Sequence, residues 1–153
     1  GIKKLESDDF KIVVLRPPMI YGKGSKGNYP RLANLAKKTP IFPNVYNERS
    51  MLHIDNLCEF VKLMIDNEES GLFFPQNKEY INTSEMVKII AEVHGKKIML
   101  TKIFNPVLRL LSGRVGVVNK VFGNLVYEKS MSEYGHSDYH IRTLKETIEQ
   151  TER

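Results

Sequence analysis

The stretch "VVLRPPMIYGKGSKGN", residues 13–28, decides how the chain is read. It opens on an apolar, β-branched run without polar alternation, which suits a strand buried on both faces, as in a parallel sheet. Pro17 and Pro18 cannot donate ladder hydrogen bonds, so the strand ends there. A loop over residues 19–27 follows, with Gly22, Gly24 and Gly27. This loop follows a Pro-Pro break. It lacks the strand-into-helix glycine turn that holds a pyrophosphate at a helix N-terminus. Asn28 reads as the N-cap of a helix over "NYPRLANLAKK", with Pro30 in its first turn and Lys37 and Lys38 placed for its dipole.

Outward from this stretch, helices alternate with strands, which argues an α/β fold. "GIKKLESDDF" reads as a helix tail, and "TPIFPN" as an extended, proline-broken connection. "ERSMLHI" reads as a short strand running into the helix "DNLCEFVKLMIDN", whose apolar face is Leu57, Phe60, Val61, Met64 and Ile65. Asn56 with Glu59, and Asn82 with Glu85, have capping-box spacing. The second box opens "TSEMVKIIAEVHG", which stops at Gly95. "GLFF" and "KKIMLTKI" read as strands, and "LVYEK" as a further short one. The glycine-broken stretch "NPVLRLLSGRVGVVNKVFGN" gives short helical pieces, and a last helix is expected from about His140.

At 153 residues the chain fits one domain with a sizeable core. Its net charge of +5 is scattered, with no dense basic run interleaved with aromatics, so nucleic acid is not the expected partner and small anions are. Cys58 is the single cysteine, which excludes an internal disulfide. Within its helix it reads as buried packing. The histidines offer no metal-ligand spacing. No apolar run is long enough to span a membrane and no signal peptide opens the chain, so a cytoplasmic protein without membrane contact is expected.

Three motifs, "LRPPMIYGKG", "NYPRLANLA" and "RSMLHIDNL", in that order and spacing, resemble the C-terminal half of an extended short-chain dehydrogenase/reductase. The nearest branch is the NAD-dependent epimerase/dehydratase family, which includes UDP-glucose 4-epimerases. The ending "SEYGHSDYHIRTLKETI" is similar to that family's last helix and the turn before it. The resemblance implies a Rossmann-type parent. Residues 1–153 would be its substrate-binding part, a small mixed sheet with helices, and about residues 1–22 would complete the upstream dinucleotide-binding fold. The family's Gly-x-x-Gly-x-x-Gly turn and its Tyr-x-x-x-Lys pair do not occur here, so no catalytic residue is assigned. The chain alone is expected to be inactive and not to retain NAD.

By the same resemblance, the parent is an NAD-dependent nucleotide-sugar 4-epimerase acting on a UDP-hexose. An upstream Tyr takes a proton from the sugar hydroxyl, NAD takes a hydride, and the hydride returns to the other face of the rotated 4-keto sugar. A homodimeric parent is expected, and the chain by itself is expected to self-associate. The alternatives are a 4,6-dehydratase or reductase of the family, or a non-enzymatic NAD(P)-binding protein.

The resemblance implies cofactor contacts at Pro17 and Met19, although strand termination alone explains the prolines. Met19 stands where some 4-epimerases carry Asn. It implies substrate contacts at Asn28 and Tyr29, at Ile41 and Phe42 for the base, and at Arg49 for the diphosphate. A guanidinium fork suits two phosphate oxygens, and the alternative for Arg49 is a solvated surface charge. Lys120 is a further candidate from the glycine-broken stretch. His53 and Asp55 share a strand face, but a structural histidine beside a helix cap is the stronger reading.

Overall fold

A computed structural model describes residues 2–112, 116 and 121–153. The apolar run at residues 12–15 gives β1 (Val13–Leu15), half-buried along its length and not buried on both faces as its pattern suggests, and the chain then crosses the two prolines into β2 (Met19–Tyr21). The expected loop at Met19 is therefore a strand for its first three residues. The Pro-Pro pair ends one ladder and the chain resumes in another: β1 pairs with β5 (Gly71–Phe73), while β2 pairs with β4 (Met51–His53). A proline just before a strand costs that strand no donor.

The third ladder joins β3 (Ile41–Pro43) to β6 (Met99–Thr101). All three ladders are parallel, with Val13 opposite Gly71, Met19 opposite Met51 and Ile41 opposite Met99. The α/β expectation holds. Antiparallel pairing among the described residues is confined to isolated bridges, one of them between Arg49 and Ile81. Parallel neighbours need a long crossover, and α1 (Asn28–Lys38) supplies it between β2 and β4.

Helix starts depart from the sequence reading in three places. Helix α1 begins at Asn28 itself, and its cap is Gly27 at φ 104°, without a side-chain cap bond. That backbone conformation favours glycine, so the cap position moves back by one residue. Helix α2 (Ile54–Asp66) is capped by His53, whose Nδ1 accepts the Asp55 N–H at 3.2 Å. Asn56 is buried inside the helix instead of capping it. The last helix, α5 (Leu144–Glu152), starts at a Thr143–Glu146 capping box, later than expected, and leaves Ile141 exposed before it. Asn82 caps α3 (Thr83–Val93) as read, accepting the N–H groups of Ser84 and Glu85. Helix α4 (Asn105–Ser112) follows β6. Cys58 is exposed, not buried. Leu125 forms a single bridge to Arg49 and no strand.

Strand β4 separates two cores because neighbouring strand residues point to opposite faces. Met51 faces a core built on Tyr21, Leu32, Phe42, Met86, Ile90 and Ile148, with α3 packed between α1 and α5. Leu52 faces a smaller core of Phe60, Met64 and Tyr139, in which Phe60 meets the Tyr139 ring edge-on at 4.7 Å.

Candidate functional site

Arg49 lies immediately before β4 and is fixed by its own backbone. Its N–H donates to the Ile81 carbonyl at 3.0 Å, and its carbonyl accepts the Ile81 N–H at 2.9 Å. The next residue, Ser50, donates its N–H to the Leu125 carbonyl at 2.8 Å. Held between these two segments, the half-buried guanidinium donates to the Gly123 carbonyl at 2.9 Å. Burial pushes its pKa below the usual value. Among the described residues no carboxylate lies within 4.0 Å of it. A guanidinium has five N–H donors, so donors remain for a ligand.

Asn28, the first residue of α1, lines the same cavity as Arg49, together with Met19 from β2 and Thr83 from the start of α3. Leu32, Met51 and Ile81 form its apolar wall. With no side-chain cap bond at Gly27, the first-turn N–H groups of α1 remain available to an anion, and the helix dipole favours negative charge there. The enclosed space is about 10 Å³, room for one water molecule. A diphosphate does not fit inside it.

Of the sequence-derived candidates, the fold brings together Met19, Asn28 and Arg49. The other described candidates do not line this cavity. Pro17 lies between β1 and β2. Tyr29 is 3% exposed and stacks on Tyr21 at 5.3 Å, in the core. Burial first, and the Glu152 carboxylate second, push its pKa up. The cause is helical geometry: residues 28 and 29 are about 100° apart around the axis, so Asn28 facing the cavity turns Tyr29 away. Ile41 is exposed, but Phe42 is buried against Phe122 at 5.8 Å. Alternation along β3 thus leaves Ile41 as the accessible member of the pair. Lys120 lies outside the described residues.

Sequence reasoning missed the polar frame behind the cavity. Asn47 and Thr83 are both buried and bond reciprocally: the Asn47 amide donates to Thr83 Oγ1 at 2.8 Å, and the Thr83 N–H donates to Asn47 Oδ1 at 3.0 Å. A second network centres on Asn77, which accepts the His53 N–H and an Asn56 amide N–H and donates to the Tyr21 hydroxyl at 2.9 Å. Burial pushes the Tyr21 pKa up to about 12, opposed by its bonds to Thr147 and Asn77. His53 belongs to this network. Its Nδ1 accepts from Asp55, so Nε2 carries the proton and donates to Thr151 Oγ1 at 3.2 Å. The structural reading of His53 is the one its contacts describe.

No family model matches the chain. Its sequence is 26% identical over 158 residues to UDP-glucose 4-epimerase of Vibrio cholerae, covering 95% of this chain and 47% of that protein. The structure is similar to UDP-N-acetylglucosamine 4-epimerase from Bacillus cereus, with a TM-score of 0.63 at 15% identity, over 99% of this chain and 47% of the other. The chain has the fold of nucleotide-sugar epimerases. The likeness to the extended short-chain epimerase/dehydratase family that the three motifs carry is borne out. The same fold extends to dTDP-4-dehydrorhamnose reductase from Bacillus anthracis, solved with NADP, at a TM-score of 0.59 and 16% identity over 98% of this chain and 50% of that one. The chain thus spans about half the length of the proteins it matches. Among the described residues no helix is long and apolar enough to cross a membrane, and no group of three or more His, Cys, Asp or Glu is placed to hold a metal ion.

Proposed function

We propose that the chain is the substrate side of a nucleotide-sugar 4-epimerase acting on a UDP-hexose, with the diphosphate held at the mouth of the Asn28–Arg49 cavity. The observation that carries this reading is the meeting, at one cavity, of a half-buried guanidinium and the N-terminus of α1. Both favour an anion, and a planar fork matches two phosphate oxygens. The similarity to the Vibrio cholerae epimerase supports the choice of sugar nucleotide.

In this reading about residues 1–22 complete a dinucleotide-binding fold and the rest forms the substrate domain. The dinucleotide, NAD, would accept and return the hydride when bound. The described residues fit the edge of its site at most: Pro17 and Met19 approach the strand ends, but no glycine-rich turn is built here to hold its pyrophosphate. What this chain's own residues do is orient. Arg49 and Asn28 hold the diphosphate, Met19 closes the inner wall, and exposed Ile41 offers an apolar face to the base. The likeness to the dTDP-sugar reductase favours a second reading, a reductase of the same family.

Calorimetric titration of the chain with UDP, dTDP, uridine and NAD tests both readings. UDP is expected to bind, uridine far more weakly because it lacks the diphosphate, and NAD not to bind. Preference for dTDP over UDP favours the reductase. Equal binding of UDP and uridine contradicts the diphosphate site.

A further inference from the structure

Residues 96–124 contain six basic side chains, at 96, 97, 102, 109, 114 and 120, and no Asp or Glu. Inside this segment α4 does not bury its apolar stripe. Val107 and Leu110, one turn apart on the helix, are 56% and 67% exposed. Ile103 and Phe104, in the turn just before it, are also exposed, Ile103 to 80%. Met99 on β6 is exposed as well. Lys97, two residues before β6, and Lys102, just after it, are exposed, while Lys96 donates to the Lys37 carbonyl at the end of α1. Asn105 donates its side-chain amide to the Asn44 carbonyl at 3.0 Å, which ties the start of α4 to the loop bearing Tyr46, at 92% the most exposed aromatic ring.

We infer that this face docks on an anionic membrane surface, with α4 lying in the plane of the interface. Exposed aliphatic side chains beside lysines, with an aromatic ring at the edge, are the chemistry of an interfacial helix. Charge decides the occupant. A second copy of this chain meeting the same face across a two-fold axis would set lysines against lysines, with no carboxylate in the segment to offset them. An anionic leaflet attracts each lysine and receives the apolar stripe. None of these exposed side chains lines the Asn28–Arg49 cavity, although Met99 lies opposite Ile41 in the β3–β6 ladder.

The test is co-sedimentation of the chain with vesicles of phosphatidylcholine alone and of phosphatidylcholine with about a third phosphatidylglycerol, at low and high salt. Binding is expected to the anionic vesicles only and to fall with salt. Lys97→Glu/Lys102→Glu should weaken it by roughly tenfold or more. Val107→Glu/Leu110→Glu should abolish it, with circular dichroism unchanged in both variants. Should those variants misfold, the milder Val107→Ser/Leu110→Ser pair reads the same contact. Absence of binding to anionic vesicles, equal binding to neutral ones, or binding indifferent to these substitutions in folded protein overturns the inference. So does a concentration-dependent dimer that the same substitutions dissolve, without vesicle binding.

Discussion

Gly22 shows how one residue of the Tyr-Gly motif carries a packing requirement that composition does not reveal. A Cβ built there would fall 2.5 Å from Ile54 Cγ2 and 3.2 Å from Ile54 Cβ. The β2 exit and the start of α2 therefore touch backbone to side chain. Gly22→Ala should destabilise the chain by about 1–3 kcal/mol, the usual cost of overpacking. Ile54 is partly exposed, so Ile54→Ala alone should be cheap, and the double variant should regain most of the loss. Urea denaturation of the four proteins measures this coupling, and simple additivity would place the strain elsewhere. At this scale the sequence was readable where a residue type has one dominant use. The prolines ended a strand and Asn82 capped a helix. It was misread where several residue types can do one job, as when Gly27 and His53 took cap positions assigned to Asn28 and Asn56.

The element whose start matters most is α2, because its cap is a buried imidazole. Burial lowers the His53 pKa below its ordinary 6.5, and Arg142 adds to this, while Asp55 pulls the other way. The unfolded chain therefore binds this proton more readily than the fold does. The stability that neutral His53 contributes is fully present above about pH 6.5 and is lost as pH falls toward the depressed pKa. Protonation would also remove the Nδ1 acceptor that caps α2. Thermal melts between pH 7.5 and 5 should show the melting temperature falling with acidification. His53→Asn, which keeps a capping acceptor, should lower the melt throughout but flatten that slope. An unchanged slope would assign the acid sensitivity to other groups. Most elements were legible from periodicity. Strand β2 was not, because Pro17 and Pro18 mask a change of ladder partner, and partner choice is a long-range property.

Over the whole molecule, three short parallel ladders leave surface uncovered. Strand β1 pairs with β5 alone among the described strands, and a groove of about 690 Å³ beside it has an apolar floor of Val13, Leu15, Val61, Met64 and Ile65 and a charged border of Asp8, Asp9, Lys11, Glu68 and Glu69. Val61 and Ile65, read from periodicity as core, are exposed here, Ile65 to 71%. A strand edge without a second partner, beside exposed apolar side chains, invites pairing, so sedimentation velocity should show self-association rising with concentration. A monomer throughout would mean the groove is tolerated in water. The fold class and the nearness of Asn28 and Arg49 were legible through the resemblance that the motifs carry; that Met19 lines the same cavity was not, since the resemblance set it at the cofactor. The withdrawal of Tyr29 and Phe42 into the core was not, since it depends on which face each element turns inward. The central claim is that Arg49 clamps a nucleotide diphosphate. It is tested most directly by titrating the chain and its Arg49→Ala and Arg49→Lys variants with UDP. A charge-assisted forked contact is worth about 1.5–3 kcal/mol, so Arg49→Ala should weaken UDP binding by roughly ten- to a hundredfold. Arg49→Lys should recover part of it, because the charge stays and the fork is lost. UDP affinity unchanged in a folded Arg49→Ala protein would contradict the account and leave Arg49 a structural tie to Gly123.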